Sequence, residues 1–88
     1  LHTESLAMNK NRLRWACRRG MLELDLILEP FVENFYETLE EADQLRFEVL
    51  LESEDQSLFM WLMKRQAPEN PDMQRIVQII HESRPQLG

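Results

Sequence analysis

The sequence predicts an all-α fold in a single domain, and three observations carry that expectation. Glycine occurs twice and proline four times in 88 residues, and no alternating Val/Ile/Thr-rich run bounded by turn residues supports a strand. Apolar residues recur instead at three-and-four spacing, the period of one helix face. The length leaves room for only one hydrophobic core. With 43% hydrophobic and 30% charged residues the chain is too apolar for disorder, and no apolar run approaches the roughly 18 residues of a membrane span. The expected organisation is a disordered leader or appended remnant over 1–8, a helical domain over 9–84 and a tail over 85–88.

A first helix is expected from about Asn9 to Arg18, with Leu13, Ala16 and Cys17 on one face. It stops near Arg19-Gly20, because glycine is costly inside a helix and readily takes positive φ. A second stretch covers Met21 to about Tyr36, with Leu24, Ile27, Leu28, Phe31 and Phe35 as its apolar stripe. Pro30 lacks a backbone donor and disfavours helical geometry before it, so a short helix to Leu28 and a longer one restarting at Pro30 are expected. Thr38-Leu39-Glu40-Glu41 has the form of a capping box and should open the next helix, which carries Leu45, Phe47, Val49, Leu50 and Leu51 toward the core. Ser53-Glu54-Asp55-Gln56 is a second cap-like sequence. It precedes Leu58 to Met63, apolar enough all round to sit at the centre, with Phe59 and Trp61 in the core. After the loop Ala67 to Pro71, Asn70 as cap and Pro71 at the first position open a last helix, whose inner face is Met73, Ile76, Val77 and Ile80 and which ends by Pro85.

Catalytic chemistry is scarce. Cys17 is the single cysteine, which excludes an intrachain disulfide and suits a buried thiol in a reducing compartment. One cysteine with the separated His2 and His81 cannot furnish a zinc site, and no glycine-rich phosphate loop is present. A nucleophile with a base and an orienting group is not found, so the chain reads as a non-enzyme.

The net charge of −6 is unevenly spread. Lys10, Arg12, Arg14, Arg18 and Arg19 crowd into one segment, whereas acids dominate from Glu23 to Asp55, with Arg46 as the one base. Glu29, Glu33 and Glu37 align on one helix face, either solvated or meeting a basic patch on a partner. The arginine cluster admits a nucleic-acid reading, but the acidic remainder repels a polyanion.

The segment Trp15-Ala16-Cys17-Arg18-Arg19-Gly20-Met21-Leu22-Glu23-Leu24-Asp25 resembles the signature of the succinate dehydrogenase FAD-assembly factor family, whose hallmark Arg-Gly-x-x-Glu stands here as Arg19, Gly20 and Glu23. Leu58-Phe59-Met60-Trp61-Leu62, preceded by the acidic Glu52 to Asp55, is similar to the family as well, so the likeness runs from about Asn11 to Ile80. The resemblance implies a compact bundle of about five helices. It also implies a maturation chaperone that binds the flavoprotein subunit of succinate dehydrogenase, and often of fumarate reductase, while FAD becomes covalently attached to that subunit. FAD is then the partner's cofactor, with none held stably by this chain.

On that reading Arg19, Gly20 and Glu23 form the partner-binding site, with Arg18, Asp25 and Trp15 flanking it. Arg19 offers a rigid fork of donors to a carboxylate or carbonyl, or else complements the first helix dipole. Gly20 permits close backbone approach, or is a plain C-cap. Glu23 receives a partner cation, braces Arg19, or satisfies its own helix N-terminus. Trp15 either packs or projects as a binding anchor. Two other readings stay open, an antitoxin-type interaction module and a small nucleic-acid-binding domain. The chain is expected to be monomeric when free and not membrane-inserted. With no secretory signal in Leu1 to Ala7, the bacterial cytoplasm is expected rather than the mitochondrial matrix.

Overall fold

The computed structural model describes residues 11–83. The readings placed on the leader, on Asn9 and Lys10, on the tail and on a last helix reaching Pro85 lie outside them. The described residues are helical from the start, with α1 over 11–17, α2 over Leu22–Asn34, a 3-10 turn over Tyr36–Thr38, α3 over Glu41–Leu50, α4 over Asp55–Leu62 and α5 over Pro71–Ser83. These five helices form one compact bundle, in which α3 packs on α5, α2 on α4 and α4 on α5.

The core is built from the inner face of each helix. Leu13 and Cys17 come from α1, Leu24, Ile27, Leu28, Phe31 and Val32 from α2, and Leu58 and Leu62 from α4. The α5 face is the expected one, Met73, Ile76, Val77 and Ile80. At the centre the Phe31 ring lies 5.1 Å from that of Phe47, which in turn meets Tyr36 at 5.8 Å. Asn70 caps α5 as expected, its Oδ1 accepting the amides of Asp72 and Met73 at 2.7 and 3.2 Å.

Four local expectations are corrected. Pro30 does not divide α2, which runs unbroken from Leu22 to Asn34. Pro30 and Leu26 are both exposed, so the carbonyl deprived of its i+4 donor lies on the water side, while packing of Leu24 to Val32 holds both halves together. Thr38 is not a capping residue: its hydroxyl donates to the Phe35 carbonyl at 2.7 Å within the 3-10 turn, and Glu40 takes the N-cap without a side-chain bond. Likewise Glu54, not Ser53, is the N-cap of α4.

The third correction concerns α3. Leu45 and Val49 are exposed, at 56% and 52%, and the buried face is Asp43, Phe47 and Leu50. Asp43 can sit inward because Arg75 and Arg46 answer it, with Arg75 Nε and Nη2 donating to its two oxygens at 2.9 Å each and Arg46 Nη1 at 2.7 Å. These bonds hold its carboxyl below the usual carboxylate range. The fourth concerns α4, where only Leu58 and Leu62 are fully buried, and Phe59 and Trp61 are half-buried at the edge of the core.

Candidate partner-docking site

The corner between α1 and α2 carries every residue the sequence singled out. Gly20 turns the chain with φ +79°, the left-handed region that a side chain enters at a cost of roughly 1–2 kcal/mol. A methyl group added there would meet nothing within 4 Å, so the backbone conformation alone calls for glycine. The turn is pinned by Asp25, whose Oδ1 accepts the Arg19 amide at 3.0 Å from the first turn of α2. Asp25, rather than Glu23, is therefore the acid that braces Arg19.

Arg19 itself points inward. Its side chain is 16% exposed, Nη1 pairs with Asp55 at 3.3 Å, and Nη2 donates to the Leu51 carbonyl. Leu51 ends α3 and Asp55 begins α4, so a single guanidinium ties the corner to the α3–α4 junction. Its Nε is buried without a hydrogen-bond partner among the described residues. Arg19 thus positions the corner and is not open on its surface. Next to it Cys17 is fully buried, and burial pushes its thiol up to about 12, which leaves it a neutral packing group.

Trp15, Arg18 and Glu23 face outward. Trp15 is 72% exposed, and Arg18 makes only a loose pair with Glu29 at 3.7 Å. Glu23 is exposed, with no ion pair or side-chain hydrogen bond among the described residues. Arg14 pairs bidentately with Glu33, one contact being Nη2 to Oε1 at 3.2 Å. The basic segment is therefore answered by the acidic stripe of its own neighbouring helix.

Two site residues were missed by sequence reasoning. Leu22 and Leu26 are exposed at 68% and 65%. With Glu29 and Glu33 they follow i, i+4, i+7, i+11 spacing, one face of α2, which the α1 arginines also reach. The signal was present: both leucines fall off the Leu24, Ile27, Leu28, Phe31 stripe, so a single buried face could not hold them all. The corner combines an exposed indole and two exposed leucines with a loosely held arginine and an open carboxylate. That mixture of apolar anchors and polar rim suits a protein partner.

The model of a family described as Sdh5, flavinator of succinate dehydrogenase, matches residues 11–84. A protein of Pseudomonas aeruginosa named FAD assembly factor SdhE is 54% identical over 69 residues, covering 78% of this chain and 82% of that one. Its namesake in Colwellia psychrerythraea is 47% identical over 78 residues, covering 89% and 86%. A solution structure described as a UPF0350 protein superposes with a TM-score of 0.72 at 45% identity, covering 86% of this chain and 81% of the other.

Proposed function

Since the chain belongs to the flavinator of succinate dehydrogenase family, we propose that it is an assembly factor that binds the flavoprotein subunit of succinate dehydrogenase and promotes covalent attachment of FAD to it. The observation that carries this reading to particular residues is the α1–α2 corner, where Trp15, Arg18, Gly20, Leu22, Glu23 and Leu26 stand exposed on a rigid support. Arg19 and Asp25 serve from beneath, fixing the turn that presents them. Preorganisation of this kind lowers the ordering cost of association.

The protein acts by docking rather than by catalysis. Its one thiol is buried and neutral at physiological pH, which supports that assignment. On this reading FAD is the cofactor of the partner. Fumarate reductase flavoprotein is a further client. The free factor is a monomer that stays off the membrane, in keeping with no described helix being long and apolar enough to cross one. The internal pairing of Arg14, Arg18 and Arg19 with carboxylates favours a protein partner over nucleic acid. The place of action on this reading is the bacterial cytoplasm. The test is to express the flavoprotein subunit with and without this chain and read covalent flavin by in-gel fluorescence. Flavinylation should rise with the chain present, and equal fluorescence in both lanes would refute the proposal.

A further inference from the structure

A second surface lies away from this corner. α4 ends in a Schellman motif, with the Arg65 amide donating to the Met60 carbonyl at 2.8 Å and the Lys64 amide to that of Trp61 at 3.1 Å. The position that closes such a motif takes left-handed φ and is usually glycine. Here it is Lys64, at φ 62°, the one non-glycine residue with positive φ among the described residues. A lysine held where glycine would be easier marks its side chain as worth explaining.

That side chain borders an open groove of about 450 Å³ between the end of α4 and α5. Trp61, Lys64, Arg65, Gln74, Gln78 and His81 form its walls, and none of its lining residues is an acid. In a chain with 16 acids and a charge of −6, this groove is lined by one lysine and one arginine and by no acid, and Glu82, beside its wall, accepts from Gln78 at 2.8 Å. Lys64 and Arg65 make no ion pair among the described residues, in contrast to Arg14, Arg18, Arg19, Arg46 and Arg75. Arg65 is held in place over the Phe59 ring, 6.0 Å from its centroid. Gln74 fixes one wall by donating to the Pro68 carbonyl at 2.8 Å. Half-buried Trp61 supplies an apolar floor where a side chain can be desolvated.

We propose that this groove is a second docking site, which takes an acidic extended segment of the flavoprotein subunit, its carboxylates on Lys64 and Arg65 and an apolar side chain against Trp61. The identity of the segment's bearer rests on the assembly-factor reading, and the acidity of the segment rests on the groove. Asp55, which holds Arg19 beneath the corner, starts α4, and Lys64 follows the end of the same helix, so α4 links the corner to the groove. A partner that engages both surfaces gains avidity from the second contact.

The test uses the full chain and the variants Lys64→Gly and Arg65→Glu. Melting temperature, affinity for the purified flavoprotein subunit, and Trp61 emission during titration with a capped hexaglutamate peptide are measured, the last in a Trp15→Phe background. Lys64→Gly relieves the left-handed backbone, so it should melt at or above the wild-type temperature while its affinity falls about fivefold. Arg65→Glu should lose at least as much, and hexaglutamate should shift Trp61 emission in the wild type only. Wild-type affinity in both variants, or no emission change, overturns the groove and leaves the assembly reading standing. No binding of wild type to the subunit overturns that reading and the assignment of the segment to it. Stronger competition by a single-stranded deoxythymidine oligomer than by hexaglutamate, or self-association abolished by Arg65→Glu, overturns the choice of an acidic polypeptide from the partner.

Discussion

Arg19 reaches Asp55, 36 positions along the chain, with Nη1 3.3 Å from Oδ1, and its other terminal nitrogen donates to the carbonyl of Leu51. The signature arginine is thus spent inside the molecule, beneath the exposed residues around it. Replacing Arg19 with alanine should cost about 1–2 kcal/mol, less than a fully buried pair because Asp55 is 42% exposed. Lysine should recover little, since one ammonium cannot reproduce a fork bridging two acceptors. Urea denaturation followed by circular dichroism checks both, and an Arg19→Ala melt matching wild type would show the contact to be idle.

Gly20 should be sensitive through its backbone alone. Gly20→Ala should lose about 1 kcal/mol, and Gly20→Asn less, because asparagine tolerates left-handed φ and the space beside Gly20 is open. A domain of this size moves by roughly 4–8 °C per kcal/mol, so differential scanning calorimetry resolves the order. Equal losses for the two variants would point to side-chain crowding instead.

Asp43 should make stability depend on acid pH. Its folded-state carboxyl is held low, chiefly by the hydrogen bond from Arg75, so the stabilisation is full above the ordinary carboxylate value and is lost as pH falls through the lowered one. Asp43→Asn should be about 2 kcal/mol less stable than wild type at pH 7, and the gap should narrow progressively below about pH 4. Denaturation midpoints from pH 7 to pH 2 give the comparison. A gap independent of pH would remove the charge from the explanation.

The helices were legible in the sequence wherever one side of the pattern was unambiguous. Met73, Ile76, Val77 and Ile80 left α5 no alternative face, and Asn70-Pro71 marked its start. In α3 the apolar residues occupy opposite sides, Phe47 and Leu50 against Leu45 and Val49, and the choice depended on Arg75 arriving from α5 to neutralise an inward Asp43. No local rule contains that long-range pair. Pro30 misled for a related reason, as tertiary packing overrode a local preference on a face where water could take up the freed carbonyl. At the candidate site Gly20 was readable from its chemistry. Whether Arg19 faced inward or outward was not, because its acceptors, Asp55 and the Leu51 carbonyl, lie more than 30 positions away.

Trp15 and Leu26 should be nearly silent in folding, since both are largely exposed, and Trp15→Ala should change unfolding free energy by no more than about 0.5 kcal/mol. Leu26→Ala should behave alike, and its chemical denaturation curve should overlay that of the wild type. A loss of 2 kcal/mol in either would place these side chains in the core rather than on a docking face.

The most direct measurement of that face is covalent flavin on the flavoprotein subunit at limiting concentrations of wild type, Trp15→Ala, Glu23→Ala and their double variant, each with its melting temperature. Docking through the α1–α2 corner requires flavinylation to fall, by about tenfold in the double variant, while the melting temperatures stay at the wild-type value. Undiminished flavinylation by the stably folded double variant would contradict it.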